Sequence, residues 1–539
     1  MKIKKHSIVV CLLLCVCFAG GQIKDFTTQL PIIYIDTHGV EIPDDPKISA
    51  SMGVIWKGEG IINSTLDAKD HFNGKIGIEI RGSSSQSFPK KSYGFETWNE
   101  DNDDTNVALM GFPAESDWVL YGPYSDKSLI RNVLTYVLGA QLGNYAPRCR
   151  FVELFLNNEY RGVYVFIEKI KRDKNRVAIS KLTENDIDGE DLTGGYIIKI
   201  DKTTGSGGDG WSSLFENSNG KKTFYQYEYP DQDDILPVQK QYIQNYIGEF
   251  ESAVHNRDSD ETTGYPAYID EASFIDFILM NELAKNIDGY RLSTFLHKNK
   301  NGKLVAGPLW DFNLAYGNAD YYEGWKTTGL QLYVNMGGSK DFQNSNPFWW
   351  LVLAQEQHFA GKLKCRWKDL RNSLLSDDHL AFVVDSLVNL LGNAPERNFE
   401  TWNILNKRVW PNYYVGGSWD AEINWLKNWL KNRAQWLDAA LPGSCIDTTN
   451  KVSEKFVATV TLNLFTEQLI IKTNAAIGER LTFQLYSING SLLEQSNFMV
   501  GAEINRVEME SGHLYPGIYL FRILNEKNNA VFGKLVKIR

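Results

Sequence analysis

Cysteine is scarce in this chain and poorly placed for a disulfide scaffold. Of six cysteines in 539 residues, Cys11, Cys15 and Cys17 fall in the first 21 positions, which leaves Cys149, Cys365 and Cys445. Three thiols allow at most one bridge and a free cysteine, so the fold must rest on its core. No CxxC occurs, which removes a zinc knuckle or a dithiol redox motif. HExxH is missing and the eight histidines are scattered, which argues against a zinc hydrolase. The phosphate loop GxxxxGK[ST] is absent as well. Basic runs are lacking and the formal charge is −10, which excludes a chain whose main partner is nucleic acid. Beyond the first 21 residues no apolar stretch reaches a membrane-spanning length, so no transmembrane span is expected in the mature chain. No repeat of solenoid length is visible.

What is present begins with a secretory leader. Lys2, Lys4 and Lys5 precede the apolar run IVVCLLLCVCFA, and Ala19, Gly20 and Gly21 supply small residues for cleavage near Gln22. That order reads as a signal peptide over residues 1–21. The whole chain is 43% hydrophobic and 13% aromatic, with 15 Trp, as a folded globular protein requires. The length is too great for one core and implies several domains.

Patterning divides the rest. Segments such as IGIEIRG, KSYGFET, FVELFLN, GVYVFIEKI and GGYIIKID alternate as strands do, and SLIRNVLTYVLGAQLG reads as a helix. The strands cluster and do not alternate regularly with helices, which predicts an α+β class. Residues 345–442 read as a helical, Trp-rich part, with Ile423, Leu426, Trp429, Leu430 and Trp436 forming a stripe of helical spacing. A polar linker, 446–452, separates this domain, 22–445, from residues 453–539. Evenly spaced short strands there, with turn signals ING, YPG and NEKNN, predict a small β-sandwich.

The chemistry centres on two carboxylates. The helix YIDEASFIDFILMNELAKN breaks at IDGYR, where Gly289 favours a turn. LSTFLHK, the turn NKNG and KLVAGPLWDFN follow, and Asn301-Gly302 is a strong hairpin signal. Folding the arms on that turn brings Asp311 opposite residues 290–292, near Asp288. Facing or diagonal strand neighbours lie about 5–8 Å apart. Like charges that close call for a divalent cation or a cationic partner between them. Helix, catalytic Asp, hairpin and metal Asp is also the order of parts in kinase-type phosphoryl transfer.

Upstream, RGSSSQSFPKKSYGF follows a strand and leads from a Gly/Ser-rich loop to lysines, a layout that suits a phosphate. Lys90 and Lys91 alternate, so only one points inward. Lys91 shares a face with Tyr93 and Phe95, which reads as the inner face, and Lys90 then faces solvent. Arg131 lies at a helix start after a Ser/Asp cap, and Glu168 ends an apolar strand where a carboxylate could fix a lysine or a ligand edge. The acidic loop EDNDDTN lacks the EF-hand glycine and terminal Glu, so calcium is not its role.

These runs together carry a resemblance. IRGSSSQSFPKKSYGFE, DWVLYGPYSDKSLIRNVL, LFLNNEYRGVYVFIEKIKRDKNRV, KNIDGYRLSTF and GPLWDFNLAYGNADY, in this order, resemble the CotH family of spore-coat-type secretory kinases. The resemblance implies a divergent protein-kinase-like, two-lobed fold that binds ATP with Mg²⁺ or Mn²⁺ and phosphorylates secreted proteins on Ser or Thr. By matching motif, Asp288 resembles the catalytic-loop Asp and Asp311 the metal-binding Asp. Lys91, or Lys90 if the strand faces otherwise, resembles the nucleotide-phosphate lysine, and Arg81, Arg131 and Glu168 sit in matching motifs. Kinase catalytic loops carry Asn five residues after the Asp as a metal ligand. Here that position is Ser293, with Asn313 as the substitute.

The C-terminal pattern LTFQLYSINGSLL, LYPGIYLFRI and GKLVKIR resembles the sorting domain of type IX secretion cargo of Bacteroidota, although the usual Asn-Pro near its start is missing. That resemblance implies engagement of the type IX machinery, passage to the cell surface and removal of the domain on arrival. Two readings follow: an exported metal- and ATP-dependent transferase acting on secreted or surface proteins, and a catalytically weak or inactive kinase-like surface binding or adhesion protein. Ser293 and the abundant aromatics favour the second.

Overall fold

The computed structural model describes residues 25–203, 209–334, 346–445 and most of 458–537. The expected signal peptide (1–21), with Cys11, Cys15 and Cys17, and the expected linker (446–452) lie outside the described residues.

Seven strands close into a barrel: β1 Ile32–Asp36, β2 Ile48–Ile55, β3 Phe72–Arg81, β4 Ser92–Trp98, β5 Asp117–Tyr121, β6 Cys149–Leu156 and β7 Glu159–Glu168. Their order is β1-β2-β3-β4-β5-β7-β6, and parallel pairing of β1 with β6, Ile32 facing Glu153, completes the ring. Closure leaves no ladder edge and fills the interior with alternate residues such as Ile33, Met52, Ile78, Phe95, Trp118 and Phe166. The intervening residues Val119, Val163, Val165 and Ile167 point outward into a second core. β5, β6 and β7 are therefore apolar on both faces, which is why their sequences read as nearly continuous hydrophobic runs.

That second core is built on helices. Helix α1, Arg131–Leu142, crosses the outside of the barrel and ends at Gly143, whose φ of 100° suits glycine. Five antiparallel strands form a sheet: β8 Tyr196–Ile200, β9 Gly210–Glu216, β10 Lys222–Tyr229, β11 Thr294–Lys298 and β12 Leu304–Ala306, in the order β9-β10-β8-β11-β12. Helices α2, Pro237–His255, and α3, Glu271–Ala284, pack with it. Asp270 caps α3 by accepting from the Ser273 N–H at 2.8 Å.

Five more helices follow: α4 Phe348–Gln355, α5 Gln357–Arg371, α6 Asp377–Leu391, α7 Ala394–Thr401 and α8 Trp419–Ala440. Trp349, Trp350, Trp367 and Trp429 are buried in the same core as α3. In α8, Ile423, Leu426 and Leu430 join Trp429, whereas Trp436 is partly exposed with Arg433 4.9 Å above its ring. A disulfide, Cys365–Cys445, ties α5 to the chain beyond α8, and Cys149 is free and buried.

α7 folds back onto the barrel. The Asn398 side chain accepts from the Val163 N–H at 3.1 Å, Arg397 makes two bonds to the buried Glu153 (3.0 and 2.5 Å), and Trp402 donates to the Arg161 carbonyl. The described residues of 458–537 form a β-rich region of a three-stranded and a five-stranded sheet around Leu469, Ile471, Phe483, Phe521 and Leu535, and Tyr486 and Leu520 join it to the main core. The described protein is thus a mixed α+β domain followed by a β-rich one. Among the described residues no helix is long and apolar enough to cross a membrane.

Candidate functional site

Turn chemistry places the two acids. The Gly302 N–H bonds to the Asn299 carbonyl at 3.0 Å, and β11 pairs with β12 through Leu296–Ala306, His297–Val305 and Lys298–Leu304. The ladder stops at Ala306, where Gly307 and Pro308 interrupt it, so Asp311 stands on a loop beyond the ribbon. Asp288 stands on the turn after α3, where its own carbonyl accepts from the Leu292 N–H at 3.0 Å.

A third carboxylate joins them. Asp201 follows β8, accepts from the Lys202 N–H at 2.8 Å, and receives the Ser293 hydroxyl at 3.5 Å. Burial pushes the Asp311 carboxyl up to about 7, reinforced by the charges of Asp288 and then Asp201. Burial also raises Asp201, with Asp288 adding to the shift. The charges of Asp288 and Asp201 both act on Asp311, although the hairpin ladder ends at Ala306 and Asp311 lies beyond it. Asp201 was not singled out in the sequence. KIDK looks like an ordinary strand end, and the acids it interacts with, Asp288 and Asp311, are 87 and 110 positions away in the chain.

Asp311 is gripped from one face of α1. Its backbone sits at φ 62°, a left-handed conformation that costs a non-glycine residue about 1–3 kcal/mol. The Phe312 N–H donates to Asn132 Oδ1 at 2.7 Å, and the Asp311 N–H reaches the Tyr136 hydroxyl at 3.4 Å. Arg131 Nε donates to the Ala315 carbonyl at 3.1 Å, and Thr135 meets the Tyr316 hydroxyl at 2.8 Å. Residues 131, 132, 135 and 136 share one helical face, so a single rigid element fixes residues 311–316. Arg131 is 1% exposed and paired with the equally buried Asp126 at 2.5 Å. Its part is to hold the Asp311 segment.

Two cations face the acids. Arg81, at the end of β3, lies 5.6 Å over the Trp310 ring and pulls the Asp311 pKa down, as Lys202 does more weakly. The Lys202 ammonium reaches Ser84 Oγ at 3.5 Å, which links the Ser-rich loop to the acid cluster.

The neighbouring lysines lie elsewhere. Lys90, expected to face solvent, is 1% exposed: its ammonium donates to the Val163 carbonyl (2.6 Å) and Asn398 Oδ1 (2.7 Å), and burial holds its pKa well below the ordinary value. The outward face of that strand is roofed by α7, and that cover could not be inferred from local alternation. Tyr93 and Phe95 do point into the barrel core. Lys91 donates to the Gln86 carbonyl at 2.5 Å, within its own loop. Glu168 is buried and takes Arg148 at 2.7 Å, the Tyr145 hydroxyl at 3.1 Å and Arg176 at 3.9 Å, so its side-chain partners are two arginines and a tyrosine and neither lysine.

The donor set suits a hard cation. Among the described residues no three His, Cys, Asp or Glu side chains form a metal-holding group by themselves. Mg²⁺ characteristically takes one or two carboxylates and completes its shell with phosphate oxygens and water. Asp311, raised chiefly by burial, and Asp201, which accepts from the Ser293 hydroxyl, are oxygen donors of the kind such a cation takes. Asn313 hydrogen-bonds to Tyr121, whose phenol burial holds well above its ordinary pKa. Asp288 is engaged by Arg291 Nη2 at 2.6 Å.

Fold and site thus define a mixed α+β domain that carries a cluster of interacting acids, joined to a β-rich C-terminal domain. The family model described as CotH kinase protein matches residues 78–437, more than half of the chain, and that of the secretion system C-terminal sorting domain matches 463–538. The chain belongs to the CotH kinase protein family. It is 22% identical over 247 residues to inner spore coat protein H of Bacillus subtilis (strain 168), an alignment covering 45% of this chain and 59% of that protein. The chain therefore spans about three fifths of that relative's length. A crystal structure of the CARDB domain of a Pyrococcus furiosus protein in complex with di-metal ions is 14% identical and covers 16% of this chain and 96% of that one, with a TM-score of 0.11. That likeness carries no argument.

Proposed function

We propose that this chain is an exported phosphotransferase that moves the γ-phosphoryl group of ATP to a Ser or Thr hydroxyl of a secreted or surface protein. The observation that carries the reading is the convergence of Asp288, Asp311 and Asp201 in one field, faced by Arg81 and Lys202. In this reading the barrel with α1 is one lobe of a kinase-like pair and the sheet with its helices the other. A divalent cation, Mg²⁺ or Mn²⁺, held by Asp311 with Asp201, Ser293 or Asn313, supplies charge neutralisation at the phosphoryl oxygens. Asp288 orients the acceptor hydroxyl and takes its proton as the new P–O bond forms and the bond to the departing ADP oxygen breaks. Arg81, Lys202 and the backbone and hydroxyls of the Ser83–Ser87 loop steady the phosphates, the part first assigned to Lys91 or Lys90. Glu168 keeps the barrel end in place through Arg148. The C-terminal domain directs the chain to the type IX machinery and the cell surface.

Transfer of radiolabel from ATP by the full chain, with Mn²⁺ or Mg²⁺, tests this. Asp311→Ala is expected to abolish transfer while the protein stays folded; label transfer persisting in that variant would overturn the assignment. The Arg291–Asp288 ion pair and Ser293 favour a second reading, a kinase-derived binding protein without turnover. Thermal stabilisation by ATP with Mn²⁺ supports the enzyme. Its absence, with retained binding to surface material, supports the second reading.

A further inference from the structure

Beside Asp288 the surface is unusually aromatic. The loop 318–326 is stitched to the loop 409–415: the Asp320 N–H bonds to the Pro411 carbonyl at 2.9 Å and the Tyr413 N–H to the Asn318 carbonyl at 2.8 Å. This pairing brings two stacked pairs together, Tyr321 with Trp410 (6.1 Å, 3° between planes) and Trp325 with Tyr413 (5.0 Å, 9°). Trp410 is 46% exposed and Tyr413 48%, and Val415 next to them is 36% exposed. Rings this large, left half in water on adjoining loops, characterise binding surfaces.

The patch is continuous with the candidate site. Tyr321 stands within electrostatic reach of Asp288, Arg291 and Asp311. Arg291, which bonds Asp288, lies 5.6 Å over the Tyr322 ring. Arg81, Trp310 and Lys202 mark the phosphate end of the site, so the aromatic loops lie on the side that the acceptor hydroxyl must approach. Sugar recognition needs open ring faces with polar groups ready for hydroxyls. Here rings cover one another, and the adjacent polar side chains are engaged in pairs, Arg408 with Asp320 and Lys326 with Glu323. What remains on offer is apolar ring surface, which fits large apolar side chains of a polypeptide.

We infer that the loops 318–326 and 409–415 form the docking surface for an extended segment of the acceptor protein, selecting an aromatic or large aliphatic residue a few positions from the phosphorylated hydroxyl. This deepens the phosphotransferase reading and rests on it for the direction of approach.

The test measures binding, so turnover plays no part. The full chain carrying Asp288→Asn is applied to an array of extended peptides with a fixed central Ser and randomised flanks, and to an oligosaccharide array. Enrichment of Phe, Tyr, Leu or Met at one or two flanking positions is expected, with binding weakened at least about tenfold by Trp410→Ala or by Tyr413→Ala. The thermal midpoint of each variant reports its folding, and either substitution alone suffices for the comparison. Unselected flanks, selection that survives both substitutions, or preference for the oligosaccharides would overturn the inference. Failure of the phosphotransferase reading is distinct: ATP with Mn²⁺ would leave the wild-type thermal midpoint unmoved while peptide selection persisted.

Discussion

Two clusters of charge lie near the C-terminal end of α3, one fully buried and one partly exposed, and they are handled in opposite ways. At the C-terminal end of α3, Glu282 and Arg433 are both fully buried and bonded at 3.0 Å. Glu282 also accepts from the Gln331 and Leu332 N–H groups and the Tyr290 hydroxyl, and Arg433 donates to the carbonyls of Glu282, Thr327 and Gly329. Charge and hydrogen bonds close, and the result is a rivet between α3, α8 and the segment that follows Asp311. Beyond the turn, three carboxylates interact with Arg81 and Lys202, and burial, reinforced by the charges of Asp288 and Asp201, raises Asp311 to about 7. A balanced buried pair is structural. An unbalanced one holds free energy that a ligand can release, which is why perturbed acids gather at functional sites.

Breaking the rivet should have the largest effect. Arg433→Met leaves Glu282 buried and uncompensated, and is expected to cost about 3–5 kcal/mol in urea unfolding. Adding Glu282→Gln should recover much of that loss. If Arg433→Met were tolerated, the distinction between the clusters would fail.

The acid cluster predicts the reverse sign. Asp311 has a folded-state pKa of about 7, above its unfolded value, so the native protein binds a proton the unfolded chain gives up. Its contribution is fully present below about pH 4 and lost as pH rises through 7, roughly 3–4 kcal/mol over that window without divalent metal. Asp311→Asn should flatten that slope in urea titrations from pH 4 to 8. Mn²⁺ at pH 7.5 should raise the wild-type midpoint and leave the variant unmoved.

Smaller effects sharpen the boundary between the two kinds of site. Asn132→Ala removes the acceptor for the Phe312 N–H and should cost about 1–3 kcal/mol, with a fall in turnover that a distant core substitution of equal cost would not show. Lys90→Gln should cost about 1–2 kcal/mol and leave nucleotide-induced stabilisation intact, because its ammonium serves Val163 and Asn398. Arg81→Gln should do the opposite, sparing stability and removing the nucleotide response. Thermal shifts on the paired variants, with and without ATP and Mn²⁺, read both.

Legibility followed the range of the interactions. The Asn301-Gly302 turn is written in adjacent residues, so the hairpin could be read from the chain. Strand alternation marked Tyr93 and Phe95 as interior. It could not show that the strands close into a barrel, since closure depends on Ile32 meeting Glu153 across the chain. Lys90 was misjudged as solvated because α7, some 300 positions later, covers that face. Asp201 escaped for the same reason, since the acids it interacts with are distant in sequence, and the hold of Arg131 on the Ala315 carbonyl was hidden by the same distance.

The sequence by itself determined the class of domain, the turn that pairs two acids and the composition of the C-terminal strands, because propensity and turn chemistry act between neighbours. Only the tertiary structure decided which cations face those acids. That choice depends on burial, and burial is created by segments far apart in the chain coming together to exclude water.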